Sequence, residues 1–390
     1  MKECRFFQDN VIWSCKSWLI LMNNLNMAAF IHSIGTALPA FSINQDKIAD
    51  YMVRNFAMDK NEERKLRVLY RASGIGKRYS VLRDFSENLN GHGFFRKEHL
   101  PSSKPRMELY QKHAIDLASK ASLDALDSSG VAARDITHLV AVSCTGMYAP
   151  GLDIELIERL GLKTETQRTS INFMGCYAAF NAMKLAANIV NADESAQVLV
   201  ICVELCSIHL QPSKDDENLL ANAIFGDGAA ALVVNGSKGK KTLELTRFYS
   251  DLALSGKGEM GWFIGDHGFE MKLSSKVPEV IKGGIAELTE RLLDQVDLST
   301  ADIDFFAIHP GGKRILEVIE QELNITKEQD APAREVLKSY GNMSSPTVLF
   351  VIKRIFDQLK KEDDQKHILS FAFGPGLTLE SAVLKTHLNA

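Results

Sequence analysis

Apolar and polar positions along the chain fall into two alternating regimes. The runs "ITHLVAVSC" at 136–144, "SINFM" at 170–174 and "AQVLVICVEL" at 196–205 are short and nearly continuous in apolar residues. Between and after them, "GLDIELIERLGL" at 151–162 and the stretch from about Tyr177 carry the spacing of amphipathic helices. Continuous apolar strands alternating with helices predict strands covered on both faces, hence an α/β fold with parallel components. The second half repeats the scheme. "DFFAIHP" at 304–310 reads as a strand running into the helix "GGKRILEVIEQEL", and "YGNMSSPTVLFVIKRIFDQL" opens on a turn and becomes a helix. "HILSFAFGPGLTLESAVL" reads as two closing strands around a Gly-Pro-Gly turn. Two halves of similar design suggest an internal duplication, divided near the polar, glycine-bearing "NGSKGKKT" into residues 27–245 and 246–390.

At 390 residues the chain exceeds what one simple core organises. A formal net charge of -4 argues against nucleic-acid binding through a broad basic surface and favours a small-molecule or protein partner. The six cysteines show neither disulfide-framework density nor C-x-x-C spacing, and no convincing signal peptide precedes them, so a reducing, cytoplasmic setting is expected. "VIWSCKSWLILM" at 11–22 is apolar but too short and too broken, at Lys16, to span a bilayer. Residues 1–26 read as an extension without function, since "MAAFIHSIGTALPA" from Met27 resembles a natural beginning.

Chemistry enters with Cys176, at a strand-to-helix junction in "INFMGCYAAF". Unpaired backbone N–H groups and the helix dipole favour a thiolate there. A buried apolar thiol has the same local signature, so position alone does not decide. A nucleophilic cysteine also needs a base and an oxyanion donor on loops at strand ends. His309, ending "DFFAIH" before Pro310-Gly311-Gly312, and Asn342, in the Gly-marked turn "YGNMSSP", have that setting.

The segments "INFMGCYAAFNAMKLA", "NAIFGDGAAALVV", "FFAIHPGG", "SYGNMSSPTVLFVI" and "FAFGPGLTLESAVL" occur in the order seen in type III polyketide synthases. The chain thus resembles the chalcone-synthase-like family from about Ser33 to Leu384, with "ASGIGKRYSVL" and "SCTGMYAPGLDIELIERLGL" similar to its bacterial branch. The resemblance implies a thiolase-like fold, two α/β halves packed as a five-layer αβαβα core, and a Cys-His-Asn centre for iterated decarboxylative condensation. By motif, Cys176 would take the starter acyl group from coenzyme A, and His309 would hold it as thiolate. His309 and Asn342 would bind the thioester oxygen as malonyl-CoA loses carbon dioxide.

The same resemblance makes Phe225 a gate residue and leaves Met271 at the position of a second gate phenylalanine, with Phe269 two residues earlier. It points to Trp262 and His209 as cavity-shaping, and to Cys144, Glu204 and Ser344 as a hydrogen-bonded trio that influences cyclisation. Cys202 and Cys206 read as packing, and "GDGAA" at 226–230 as a structural turn. The phosphates of coenzyme A require a basic entrance, for which "ERKLRVLYRASGIGKR" offers Lys65, Arg67, Arg71, Lys77 and Arg78, with Lys313 beside Gly312. No metal or redox cofactor is expected; acyl-CoA and malonyl-CoA are the expected partners, with a homodimer implied by the resemblance and an acyl carrier protein as another starter source. The rivals are a ketoacyl-synthase-like enzyme making one condensation, a hydroxymethylglutaryl-CoA synthase, a cysteine hydrolase and a non-catalytic acyl-binding protein of the same fold. "HPGG" and "GNMSSP" speak against the first, the surrounding blocks against the second, the apolar gate against the third, and the intact Cys, His and Asn motifs against the last.

Overall fold

The computed structural model describes residues 28–86, 93–95 and 100–388, and the expectation for residues 1–26 lies outside them. In the first half, strands β1 (Phe30–Ala37), β2 (Phe41–Asn44), β3 (Lys77–Ser80), β4 (His138–Ser143), β5 (Gln167–Asn172), β6 (Gln197–Leu205) and β7 (Asp227–Asn235) alternate with helices. Those helices are α1 (Gln45–Asn55), α2 (Lys60–Ala72), α3 (Ser103–Ser129), α4 (Leu152–Leu160), α5 (Ala178–Ala192) and α6 (Asp216–Ile224). The second half holds β8 (Lys241–Leu252), β9 (Met260–Gly265), β10 (Gly268–Leu273), β11 (Phe305–Ile308), β12 (His367–Gly374) and β13 (Thr378–Leu388). Its helices are α7 (Val277–Asp294), α8 (Lys313–Leu323), α9 (Ala331–Tyr340) and α10 (Thr347–Gln358).

The two halves share one strand plan. β1 pairs antiparallel with β7, β7 antiparallel with β6, and β6 parallel with β4, which is parallel to β5. Likewise β8 pairs antiparallel with β13, β13 antiparallel with β12, and β12 parallel with β11. A short antiparallel pairing, Phe30 with Glu244 and Ile31 with Leu243, joins the halves into one nine-stranded ladder. The division expected between 245 and 246 falls within β8, and the polar turn at 236–240 precedes that strand.

Helix α5 packs against β4, β6 and β7 of one half and β8 and β13 of the other, while α10 touches β7, β1 and β11. Both helices therefore lie between the halves. Helix α3 covers β1, β6 and β7 from outside, and α7 covers β8 and β13, which gives the alternating helix and sheet layers of a thiolase-like fold. The sequence of α5 suits a helix enclosed on two sides: Ala178, Ala179, Ala182 and Ala186 are fully buried, and their small side chains let two sheets approach one axis. β2 pairs with β3, and β9 with β10, in two small sheets outside the main ladder.

One local expectation is corrected here. "GDGAA" is not a turn: Asp227 begins β7 and Gly228 pairs opposite Glu204. The alternation of small residues permits a buried central strand, which outweighs the turn preference of Gly-Asp-Gly.

Candidate active site

Cys176 follows β5 and lies in a single 3-10 turn, Gly175–Tyr177, that feeds α5. The backbone reverses sharply to reach it. Phe173 and Gly175 both have left-handed backbone, at φ 59° and 78°. Gly175 is also required by contact, because a Cβ there would lie 2.3 Å from Pro375 Cδ. The Gly374–Gly376 turn between β12 and β13 thus closes directly on the cysteine loop.

His309 follows β11, and its backbone N–H donates to Phe371 O at 2.8 Å, continuing the pairing of β11 with β12. The side chain is buried, and among the described residues neither ring nitrogen has a hydrogen-bond partner. Asn342 precedes α10. Its Oδ1 accepts from Ser344 N–H at 2.8 Å and from the Thr347 hydroxyl at 3.4 Å, and its Nδ2 donates to Gly311 O at 3.3 Å. Both amide atoms lie 3.9 Å from Cys176 Sγ. Oδ1 can only accept, so Nδ2, which faces Cys176 Sγ, is the group able to donate to the carbonyl oxygen of an acyl group on the sulfur. Ser344 adopts φ 59°, the strained conformation that aims its own N–H back at Asn342.

These three side chains line one cavity of about 370 Å³ whose walls are mostly apolar. Burial pushes the Cys176 thiol up to about 11 and His309 down to about 3. Hydrogen bonding from Ser344 and Asn342 opposes the rise at sulfur, and so does the Cys176 backbone N–H at the helix entrance. Neither group ionises readily by itself in such a site. Proton transfer from sulfur to imidazole creates both charges together with no change in net charge, which is how burial can coexist with a reactive thiolate.

Phe225, Met271, Cys144, His209, Trp262 and Ser344 all line this cavity. Phe269, noted only as a neighbour of Met271, lines it too: its ring stacks on His209 at 4.3 Å and meets Trp262 edge-on at 5.8 Å. His209 Nε2 donates to Thr145 O at 2.7 Å, and its Nδ1 accepts from Phe269 N–H at 2.9 Å, an arrangement that requires the neutral ring. Burial agrees, lowering His209 to about 3. Trp262 Nε1 donates to Cys144 O at 2.8 Å, so the β9–β10 hairpin is fastened to the strand end that carries Cys144. Cys206 lines the cavity and is not simple packing, whereas Cys202 is fully buried in β6.

The expected trio is rearranged. Glu204, fully buried, accepts at Oε2 from Cys144 N–H at 2.9 Å and the Thr145 hydroxyl at 2.8 Å, and at Oε1 from Ser345 at 2.6 Å. Its serine partners are Ser345 and, at 3.3 Å, Ser143, not Ser344, because the left-handed backbone at Ser344 turns that residue toward Asn342 and Cys176. Cys144 serves as a junction: its Sγ accepts from Gly175 N–H at 2.9 Å while its own N–H and carbonyl are taken by Glu204 and Trp262.

Of the basic candidates, Lys313 lines the cavity mouth, and so does Arg314, which sequence reasoning missed although it shares the first turn of α8. Lys65 is ion-paired with Asp216, and Arg67 is held at 2.8 Å by both Asp50 and Glu63. Arg71 is exposed on α2, outside the cavity lining, and Lys77 lies over the Tyr79 ring. Arg78 is buried in the wall and is not a rim residue.

Models of the chalcone and stilbene synthase N-terminal and C-terminal domains match residues 22–238 and 251–387. The "Alpha-pyrone synthesis polyketide synthase-like Pks18" of Mycobacterium tuberculosis is 33% identical over 358 residues, covering 90% of each chain. "Type III polyketide synthase C" of Arabidopsis thaliana is 29% identical, covering 92% of this chain and 95% of its own. Among solved structures, PKS-I of the brown alga Ectocarpus siliculosus superposes with a TM-score of 0.87 at 31% identity, over 92% of this chain and 98% of that one. The type III domain of Steely1 from Dictyostelium gives 0.85 at 32% identity, over 92% and 99%. With two domain models spanning nearly all of the described residues and these relatives matched over 90% or more of their length, the chain belongs to the chalcone and stilbene synthase family and is a type III polyketide synthase.

Proposed function

We propose that Cys176 accepts an acyl starter from coenzyme A and that the chain grows on it by repeated decarboxylative condensation with malonyl-CoA, before cyclising to a pyrone or phenolic product. The observation that carries this reading is the convergence of Cys176, His309 and Asn342 on one mostly apolar cavity of about 370 Å³. His309 takes the thiol proton as sulfur attacks the starter thioester and returns it to the departing coenzyme A, which leaves as its thiol. Loss of carbon dioxide from bound malonyl-CoA moves an electron pair onto the thioester oxygen. The free donors of His309 and Asn342 suit that developing negative charge, and the water-poor wall strengthens them. The enolate carbon then attacks the Cys176 thioester carbonyl, releasing the sulfur, and the extended chain, now a coenzyme A thioester, is transferred back to Cys176 for the next cycle.

Coenzyme A thioesters are the substrates in this scheme, and no further cofactor takes part. Lys313 and Arg314 at the mouth suit the phosphates of coenzyme A or of a carrier-bound pantetheine. The enzyme acts as a homodimer: β5 ends the main sheet with Gln167–Ser170 exposed, beside exposed Met147 and Ile154, an edge that a second copy would cover. Among the described residues no helix is long and apolar enough to cross a membrane. A cytoplasmic setting accords with four free cysteines in that region. Incubation with a panel of acyl-CoA primers and labelled malonyl-CoA tests the reading by mass spectrometry. Products carrying several malonyl-derived units support it, and a single addition from every primer would instead favour a ketoacyl-synthase-like enzyme.

A further inference from the structure

A buried guanidinium sits where the gate and the donor amide are tied together. Phe225 and Asn342 form an isolated parallel bridge: Asn342 N–H donates to Ile224 O and Gly226 N–H donates to Asn342 O, both at 2.9 Å. Arg78, on β3 and 5% exposed, donates from Nη1 to the Phe225 carbonyl and from Nε to Gln45 Oε1 at 2.9 Å. Its aliphatic stem lies against Gly341, the residue before Asn342. Gly341 has φ 71°, and a Cβ there would stand 2.8 Å from both Arg78 Cγ and Ile224 O. Arg78 therefore touches the carbonyl on one side of the bridge and the backbone that enters it on the other.

The surroundings hold this cation still. Gln45 is itself anchored by donating to Ala223 O at 2.6 Å, and the Tyr70 ring lies 5.9 Å from the guanidinium carbon. Asp227 supplies the neighbouring negative charge; it is fixed by the Ser207 N–H at 2.7 Å, the Ser207 hydroxyl at 2.6 Å and Val81 N–H at 2.9 Å. Burying a guanidinium is costly, and Nη2 has no hydrogen-bond partner among the described residues, so the carbonyl that meets Nη1 and the amide oxygen that meets Nε define where it rests.

We propose that Arg78 is a positioning residue for the decarboxylation and extension steps, setting the Phe225 gate and the Asn342 amide at a fixed separation above Cys176. The inference rests on the roles proposed above for Cys176, His309 and Asn342. Cys176 is held by α5 and the Gly374–Gly376 turn, and His309 by β12; among the described residues neither is hydrogen-bonded to Arg78. Loss of Arg78 accordingly affects the steps that need Asn342 and the gate more than it affects starter loading.

The test uses full-length Arg78→Met and measures two rates: acylation of Cys176 by acetyl-, hexanoyl- or benzoyl-CoA, read by intact mass, and carbon dioxide release from labelled malonyl-CoA. The expected result is a fall of about tenfold or more in decarboxylation against less than about threefold in acylation, with Arg78→Lys recovering part of the difference. Equal falls in both rates, or no fall in either, would overturn the proposal. Should Arg78→Met not fold, Arg78→Lys and Gln45→Met are scored by the same ratio, and equal falls in both variants count against it. Wild-type enzyme that releases no carbon dioxide would fail the proposed function itself, a separate outcome from equal losses in an active background.

Discussion

In the C-terminal half, β12 passes to β13 through Pro375–Leu377; in the N-terminal half, the equivalent strands β6 and β7 are joined by residues 206–226. The short connection is used for closure: Gly374 lies against the Tyr177 ring and Pro375 against Gly175, so it seals the nucleophile loop. The long connection is used for volume, contributing Cys206, His209, Asn222 and Phe225 to the cavity wall. A duplicated frame thus supplies two central helices whose starts meet at the site, with Cys176 before α5 and Asn342 before α10. The chemistry depends on where the duplication is broken.

Removing the convergence itself should have the largest effect. Cys176→Ala is expected to abolish starter loading and all products, while His309→Gln and Asn342→Ala each lower malonyl-CoA decarboxylation by about 10²-fold or more, measured by carbon dioxide release. The closure contact comes next. Gly175→Ala adds a left-handed alanine and an overlap with Pro375, expected to destabilise the fold by roughly 2–4 kcal/mol in urea melts and to depress turnover. Gly175→Ala with Pro375→Ala should regain part of that loss, and strict additivity of the two changes would deny the contact.

Acid stability involves both halves, since His209 in one and His309 in the other line the cavity. His209 and His309 are both lowered to about 3 from an ordinary 6.5. At these two residues the unfolded chain therefore binds more protons between those values, so the stability they contribute is full above pH 6.5 and is lost as pH falls toward 3. Each imidazole contributes on the order of 3–5 kcal/mol across that window. Urea midpoints of His309→Gln should fall less steeply with acid than those of the wild type; parallel slopes would contradict the assignment. The smallest expected effect belongs to the hairpin wall. Trp262→Phe removes the indole bond to Cys144 O, costing about 1 kcal/mol in thermal melts, and should shift the product distribution more than the total rate.

Much of this organisation was legible in the residues. Cys176, His309 and Asn342 each follow a strand or a Gly-marked turn and precede a helix, so local pattern marks them. The alternation of apolar strands and helices gave the α/β class and the repeated design. What pairing across distant strands decides was not legible. Ser345 rather than Ser344 meets Glu204 because of one left-handed residue, and the Phe225–Asn342 bridge joins segments far apart in sequence. Charge runs misled for a related reason: Asp216 and Asp50, which hold Lys65 and Arg67, lie on other helices, although Glu63, which also holds Arg67, is four residues earlier on the same one. Cys206 looked like packing because a strand-end thiol has the same sequence signature whether it faces core or cavity.

The central claim is that one thiol, Cys176, carries the growing chain while two others, Cys144 and Cys206, share its cavity without doing so. Incubation with an acyl-CoA primer alone, followed by acid quench, proteolysis and peptide mass mapping, addresses it directly. The account predicts a thioester on the peptide containing Cys176 and none after Cys176→Ala. An adduct on Cys144 or Cys206, or an undiminished adduct in Cys176→Ala, would contradict it.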